Sequence, residues 1–237
     1  MCPSLRNNQQ RKSENVEERK KMQWYPASGL QVPVRYRSLK RVVEPEHEPV
    51  TLLEAKQHLR VDITEDDSYI ERIITVAREY AETYCDMTFL LTKWQMKFDR
   101  FPYTIRLPKP PAYVGILRDT GGDVKIEYAT NCDAAAYQEL DSSMYRYDYD
   151  INPGCIYFDC QNGWPSDQWA TQNGVQVTWW AGFGPDPKDV PIKIRHAILM
   201  LVGQYYERRL ATENQSSFEV PYGVQALLDA SKWGAYS

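Results

Sequence analysis

The sequence predicts an α+β protein with a helical core of about four helices, an antiparallel β region inserted into that core, and an extended N-terminal arm. Apolar residues recur with a helical period over residues 51–86, the period changes to two at residue 91, and the helical period returns at residue 189. Neither helical pair can bury its apolar faces alone, so the two pairs are expected to share one core. The expected segments are a basic arm and linker at 1–48, the first half of the helical core at 49–90, the β region at 91–187, and the second half with the C-terminal tail at 188–237.

The N-terminal arm is basic, although the whole chain has a net charge of −4. Residues 1–43 hold ten of the 28 Lys and Arg residues but only three of the 32 Asp and Glu residues. A polar, basic extension is typical of a segment that touches nucleic acid, of one that lies on an acidic protein surface, or of one that is only solvated. The sequence leaves these three alternatives open.

Two helices are predicted directly after the arm. Thr51 and Glu54 have the spacing of a capping box, in which each side chain bonds a free backbone N–H of the first helical turn. Thr64 and Asp67 give a second start signal, ahead of a longer helix. The apolar residues that hold helical spacing in this longer helix are Ile70, Ile73, Ile74, Ala77, Ala81 and Tyr84.

The β region is predicted from alternation and from turn residues. Trp94, Met96 and Phe98 alternate with polar residues, as expected of a strand with one buried face. Further strand candidates are separated by Pro and Gly punctuation, and they read TIRL, YVGIL, DVKIEY, MYRYDY, GCIYFD and GVQVTWW. About seven short strands with turns between them favour an antiparallel sheet or a small sandwich.

The helix predicted within DVPIKIRHAILMLVGQYYERR, residues 189–209, is apolar on two sides. One row consists of Ile194, Ala197, Ile198, Leu201 and Tyr205. A second row consists of Ile192, Leu199, Val202 and Tyr206. We expect the first row to pack on the helix at residues 66–86, and the second row to face the short helices, the sheet or a neighbouring subunit. A last helix is predicted within PYGVQALLDASKW.

The polar residues form no recognisable catalytic or metal site. Asp148 and Asp150 lie two apart in an alternating segment, and with Asp159 they lack the oxygen-rich loop of a calcium site. The sequence GFGPDP has no Lys-Ser or Lys-Thr after it, so it does not match a phosphate-binding loop. Ser142, Ser143 and Ser166 lack a GxSxG context. We therefore expect no catalytic residues, no cofactor and no metal.

The pattern of cysteine, histidine and aromatic residues also favours a non-catalytic role. The five cysteines include no CxxC pair, which favours reduced thiols, and the three histidines show no HExxH spacing. The 17 Tyr and 7 Trp residues could form a stacking platform for single-stranded nucleic acid, but a phosphate-binding groove needs positive charge and the body of the chain is acidic. Protein interfaces also favour amphipathic aromatic side chains, and we prefer that interpretation.

The ordered set of these motifs resembles the head-tail connector (adaptor) proteins of tailed bacteriophages and gene-transfer particles over roughly residues 49–230. The segments that carry the resemblance are VTLLEAKQHLRVD, TEDDSYIERIITVAREYAETY, YRYDYDINPGCIYFDCQNGWP, GVQVTWWAGFG, VPIKIRHAILMLVGQYYERR and VPYGVQALLD. The resemblance implies a virion protein at the neck, made in the host cytoplasm, with no enzyme activity, no cofactor and no membrane. It implies a ring of about twelve copies beneath the portal protein, which provides the attachment site for a tail, stopper or tail-terminator protein and a channel for packaged DNA.

Two surfaces follow from this resemblance as expectations. A closed ring requires each subunit to present two different surfaces to its neighbours, so we expect a subunit interface at Tyr205, Tyr206 and Arg208. The portal contact is expected in the C-terminal segment, at Phe218, Val220, Tyr222, Trp233 and Tyr236. The alternative function is a nucleic-acid-binding protein that uses the basic arm and the aromatic strands.

Overall fold

A computed structural model describes residues 36–113, 124–130, 136–148, 151–158, 165, 172–208 and 222–232. This part of the chain contains four α-helices and two antiparallel sheets, so the predicted α+β class is confirmed. The helices are α1 (Leu52–Leu59), α2 (Asp67–Cys85), α3 (Ile192–Glu207) and α4 (Tyr222–Asp229). The strands are β1 (Ser38–Val43), β2 (Thr92–Phe98), β3 (Thr104–Arg106), β4 (Val124–Ala129), β5 (Tyr137–Glu139), β6 (Tyr145–Asp148), β7 (Cys155–Phe158) and β8 (Val175–Ala181).

The four helices share one hydrophobic core, as the sequence predicts. Helix α2 contributes the isoleucines and alanines of its helical stripe, and α3 and α4 pack against it. The capping box at the start of α1 is confirmed, because Glu54 N–H donates to Thr51 Oγ1 and Thr51 N–H donates to the Glu54 carboxylate. Among the helices in the described ranges, none is both long enough and apolar enough to cross a bilayer.

The predicted start signal of α2 is wrong in its detail. The helix begins at Asp67 with Asp66 as the N-cap residue, and the Asp66 side chain makes no capping hydrogen bond to the first turn. The Asp66 carboxylate instead accepts a hydrogen bond from the Tyr206 hydroxyl at 2.5 Å. A contact with a residue 140 positions away therefore replaces the local cap that Thr64 and Asp67 suggested.

The β region forms two sheets that share a second hydrophobic core. Five strands are ordered β1-β2-β8-β4-β5, and three are ordered β3-β7-β6, with every neighbouring pair antiparallel. On β2 the alternation is complete, with Trp94, Met96 and Phe98 buried. Side chains from both sheets meet in this core, which includes Ile105 of β3 and Ile156 of β7.

Two strands were not predicted from the sequence. Strand β1 falls within the segment interpreted as arm and linker, and it pairs with β2 at the edge of the five-stranded sheet. Strand β5 has only three residues and pairs with β4 at the other edge. The candidate YVGIL lies almost wholly outside the described residues, which contain only its first residue, Tyr113.

Gly203 lies in the C-terminal half of α3, and its replacement by alanine tests the stability of the fold. A Cβ atom at this position would lie 3.6 Å from His58 Nε2 of α1, which is an ordinary van der Waals contact. Alanine costs less backbone entropy than glycine in a helix. We expect Gly203→Ala to raise the free energy of unfolding by about 0.5–1 kcal/mol, measured by urea denaturation. A loss of stability would show that α1 cannot accommodate the added methyl group.

Candidate assembly surfaces

The first apolar row of α3 lies inside the helical core. Ile194, Ala197, Ile198 and Leu201 are buried, and they belong to the same hydrophobic cluster as the apolar stripe of α2. Tyr205, at the end of this row, is half-buried, and burial raises the pKa of its hydroxyl. The row therefore packs on α2 as the sequence predicts, with its last member at the surface.

The second row of α3 is divided between the core and the solvent. Val202 is buried, Leu199 and Tyr206 are half-buried, and Ile192 is 79% exposed. The Tyr206 ring lies 6.1 Å from the ring of Tyr69, measured between centroids. The partners of this row within the chain therefore include the first turns of α2.

Helix α1 lies beside α3 and is held there by Arg195. The Arg195 guanidinium donates to the Glu54 carboxylate and, through Nε, to the Pro49 carbonyl oxygen at 3.0 Å. Burial acts to raise the pKa of Glu54, but hydrogen bonds from Thr51 and Arg195 outweigh it and lower that pKa.

A shallow groove runs along α1 on its exposed side, where Leu53 is 66% exposed. The groove is lined by Leu52, Leu53, Lys56, Gln57, Arg60, Val61, Asp62 and Asp67.

Five half-buried tyrosines lie along α2 and α3, and we call them the tyrosine ridge: Tyr69, Tyr80, Tyr84, Tyr205 and Tyr206. The rings of Tyr80 and Tyr84 stack with centroids 6.2 Å apart. The Tyr69 hydroxyl donates to the Tyr205 carbonyl oxygen at 3.1 Å. The Tyr84 hydroxyl donates to Asp229 Oδ1 of α4 at 2.8 Å. The ridge combines apolar rings with hydroxyl groups in partly exposed side chains, which is the composition that protein interfaces favour.

The residues predicted to form the subunit interface lie close together at the end of α3. Tyr205 and Tyr206 belong to the tyrosine ridge, and Arg208, which follows the helix as its C-cap, is exposed. The hydroxyl of Tyr206 is bonded within the chain, so this residue has a structural role whether or not it contacts a neighbour.

Of the residues predicted to contact the portal, the structure places Tyr222. This side chain opens α4 and is 85% exposed, whereas Val224 and Leu228 on the same helix are buried. The other four predicted positions, Phe218, Val220, Trp233 and Tyr236, lie outside the described residues.

The residues considered for catalysis show other roles where the structure describes them. Ser142 and Ser143 lie in a turn in which Ser143 N–H donates to Asp141 Oδ1 at 2.8 Å. Asp148 lies on β6, whereas Asp150, Asp159 and Ser166 are outside the described residues. Within the described ranges, no group of three His, Cys, Asp or Glu side chains could hold a metal ion. Burial raises the pKa of the Cys85 thiol to about 11, so this thiol is protonated at neutral pH.

Residues 49–114 match the family described as phage gp6-like head-tail connector protein. No curated protein sequence matches the chain. Among solved structures, similar chains occur in "Neck of empty GTA particle computed with C6 symmetry", with a TM-score of 0.65, and in "Virion of native gene transfer agent (GTA) particle", with a TM-score of 0.63. Both are 18% identical to this chain and cover 82% of it, and 95% and 94% of their own lengths are aligned.

A third similar chain comes from "Neck of native GTA particle computed with C12 symmetry", at a TM-score of 0.60 and 18% identity over 82% of this chain and 94% of its own length. Identities this low establish a shared fold, while the family match concerns α1, α2, β2 and β3. The resemblance to head-tail connector proteins is therefore confirmed, in sequence over residues 49–114 and in fold over most of the chain.

Proposed function

We propose that this protein is a structural subunit of a virion neck, a head-tail connector that assembles as a closed ring of twelve copies beneath the portal protein. The observation that carries the proposal is the fold shared over 82% of the chain with proteins of the GTA neck, combined with the family match at residues 49–114. The C6 and C12 symmetries of the neck structures support a ring. In this role the protein completes the head, provides the attachment site for a tail or stopper protein, and surrounds the packaged DNA.

The tyrosine ridge supports the proposed subunit interface. A ring is built from heterologous contacts, so one surface of each subunit must bind a different surface of the next. Tyr205 and Tyr206 present partly exposed rings on a rigid helical core, and Arg208 stands beside them. Tyrosine and arginine are enriched among the residues that contribute most to binding energy at interfaces. We therefore assign the neighbouring subunit to this end of α3.

Tyr222 supports the proposed portal contact. The buried residues Val224 and Leu228 fix α4 on the helical core, so the exposed Tyr222 ring projects from a firmly held element. Tyrosine is enriched among the residues that contribute most to binding energy at interfaces, so an exposed ring on a packed helix suits an anchor for a partner. The proposal extends this contact to Phe218, Val220, Trp233 and Tyr236. It requires no catalytic residue, cofactor or membrane, and it places the protein at the head-tail junction after synthesis in the host cytoplasm.

Electron microscopy of particle necks tests the proposal directly. We expect a ring of this chain between the portal and the tail, with Tyr222 facing the portal protein and Arg208 at the boundary between subunits. A neck without this chain would overturn the proposed function. A ring in which Tyr222 faces solvent and Arg208 is remote from other copies would retain the connector but refute both assigned surfaces.

Arg208→Glu tests the subunit interface at an exposed side chain outside the hydrophobic core of the helices. We expect association between subunits to weaken about 30-fold, which corresponds to the loss of about 2 kcal/mol at an interface arginine. Ring formation is measured by analytical ultracentrifugation and by recovery of the protein in particles. The matched control is Arg106→Glu, the same change of charge at an exposed position on β3. Equal assembly of the two variants would remove Arg208 from the interface.

A further inference from the structure

The outer face of the five-stranded sheet is basic where β1 and β2 meet. Directly paired residues of antiparallel strands share a face, and Lys40 pairs with Gln95 while Lys93 pairs with Trp180. Lys93 and Lys97 alternate with the buried residues of β2, so they point away from the core. We call Lys40, Lys93 and Lys97 the lysine face.

Aromatic rings hold two of these ammonium groups. Lys93 Nζ lies 5.4 Å from the ring centroid of Trp180, and Lys97 Nζ lies 5.3 Å from that of Tyr137. Neither ring belongs to a hydrophobic core of the described residues. No carboxylate in the described part of the chain forms a salt bridge with Lys40, Lys93 or Lys97. Lys125, on the same face of β4, contrasts with them because it pairs with Glu127 at 2.8 Å and Glu139 at 3.4 Å.

The acidic net charge of the chain conceals a separation of charge. Strands β1 and β2 together carry four basic residues and no acidic residue. Three of the four form the lysine face, whereas Arg41 pairs with Glu44 and Glu82. Residues 52–85, which span α1 and α2, carry eight acidic and four basic residues. The sequence that leads into β1 is also basic, with ten Lys and Arg residues among residues 1–43. The chain therefore offers a local positive surface despite its net charge of −4.

We propose that the lysine face binds the sugar-phosphate backbone of double-stranded DNA. Three ammonium groups without a carboxylate partner attract a polyanion, and Lys93 and Lys97 stand about 13 Å apart along the strand, so they reach separate phosphates. Lysine side chains cover the rings of Trp180 and Tyr137, which leaves the rings poorly placed to stack on bases. Binding is thus independent of base sequence and does not require the single-stranded platform considered from the sequence. This activity goes beyond the structural role proposed above and does not depend on ring formation.

The experiment measures binding of the full chain to a fluorescent 30-base-pair duplex over a range of salt concentrations. The test variant carries Lys40→Gln, Lys93→Gln and Lys97→Gln, and the matched control carries Lys125→Gln on the same sheet face. Each phosphate contact contributes about 0.9 to the slope of log Kobs against log salt concentration. We expect the triple variant to lower that slope by about 2.7 and the control to leave it unchanged.

A measurement on the unaltered protein covers the case in which the triple variant does not fold. Acetylation of lysines, read by mass spectrometry, should be slowed by duplex DNA at Lys40, Lys93 and Lys97 and not at Lys125. The proposal is overturned if the unaltered chain shows no salt-dependent binding, or if DNA leaves the acetylation of these three lysines unchanged. It is also overturned if the triple variant binds DNA normally. In that case the basic residues before position 36 would account for DNA binding. Weaker self-association of a variant that still binds DNA normally would assign the lysine face to contacts between copies of the chain.

Discussion

Replacing Arg78 by alanine is expected to lower the free energy of unfolding by about 3–5 kcal/mol, because it leaves a buried carboxylate without its main partner. Arg78 is 3% exposed and Glu82 is 5% exposed. Arg78 Nη1 lies 3.0 Å from Glu82 Oε2, and Arg78 Nε lies 2.8 Å from Glu48 Oε2. Glu82 Oε1 also accepts the Phe89 N–H at 2.9 Å, so the carboxylate cannot turn away to solvent.

The loss of stability caused by Arg78→Ala should increase as the pH rises from the acidic range to pH 7. Burial raises the pKa of Glu82 although Arg78 opposes the shift, so removal of Arg78 raises that pKa further. A carboxyl group whose pKa is raised by folding favours the folded state at low pH, and this contribution is lost as pH rises through the folded-state pKa. The destabilisation by Arg78→Ala should therefore be largest at pH 7 and shrink toward the ordinary pKa range of glutamate.

Urea denaturation of four chains measures this effect: unaltered, Arg78→Ala, Arg78→Met with Glu82→Gln, and Arg72→Ala as the control on an exposed face of α2. The double variant should recover part of the loss, since a neutral amide still accepts the Phe89 N–H and the buried carboxylate is gone. The Arg72 variant should stay within about 0.5 kcal/mol of the unaltered chain. A loss below about 1 kcal/mol for Arg78→Ala would show that solvent reaches Glu82.

This network marks the limit of what polarity in the sequence can predict. Arg78 and Glu82 have the spacing of a solvated salt bridge on a helix, and no pattern in the sequence indicates that they are buried. Their neighbours Ala77 and Ala81 are small, which leaves room beside α2 for long side chains. The burial depends on Glu48 and Arg41, which approach from the segment before α1 and from β1. The residues next to Arg78 and Glu82 in the sequence give no indication of contacts with these distant segments.

Strand β1 was not predicted, also because the polarity of its residues does not match their burial. In the residues Ser38–Val43 the polar Arg41 is partly buried over Trp94, whereas Val42 and Val43 are exposed, which reverses the usual relation of hydrophobicity to burial. A register shift between Arg41 and Val43 further breaks the alternation. The helices and most strands were predictable because the periodic apolar residues of each element face the same core along its whole length.

The assembly surfaces were predictable only in part. The two apolar rows of α3 correctly indicated a helix with partners on two sides, and the structure identifies one partner of the second row as the first turns of α2. The tyrosine ridge was not predictable as a unit, since its five members come from two helices more than 100 residues apart. The net charge of the chain did not indicate the lysine face, because it sums the acidic helices and the basic strands.

The junction between the helical core and the β region rests on Gly182, and alanine at this position should be strongly destabilising. Gly182 follows β8 with φ at +129°, a conformation that side chains rarely adopt. An added Cβ atom would lie 2.5 Å from the Leu90 carbonyl carbon and 2.8 Å from the Leu91 nitrogen. Both are backbone atoms, so no rotamer change relieves the overlap.

The backbone around Gly182 explains why the chain cannot simply shift. Gly182 N–H donates to the Pro111 carbonyl oxygen at 2.9 Å, and Phe183 N–H donates to the Phe89 carbonyl oxygen at 3.0 Å. Leu91 N–H returns a bond to the Gly184 carbonyl oxygen at 3.0 Å. The segment that enters the β region after α2 and the segment that leaves it toward α3 are thus hydrogen-bonded side by side. Movement of one would break the pairing that orients the sheets on the helices.

We expect Gly182→Ala to lower the free energy of unfolding by about 2–5 kcal/mol, from backbone strain and from overlap with a packed neighbour. Gly203→Ala is the matched control, since the same substitution at a helical position where the added Cβ makes only an ordinary contact should be stabilising. Both are measured by urea denaturation, with Tyr and Trp fluorescence reporting the helical core and the β region. If Gly182→Ala costs less than about 1 kcal/mol, the two paired segments adjust freely, and this junction does not hold the helices and sheets in a fixed relation.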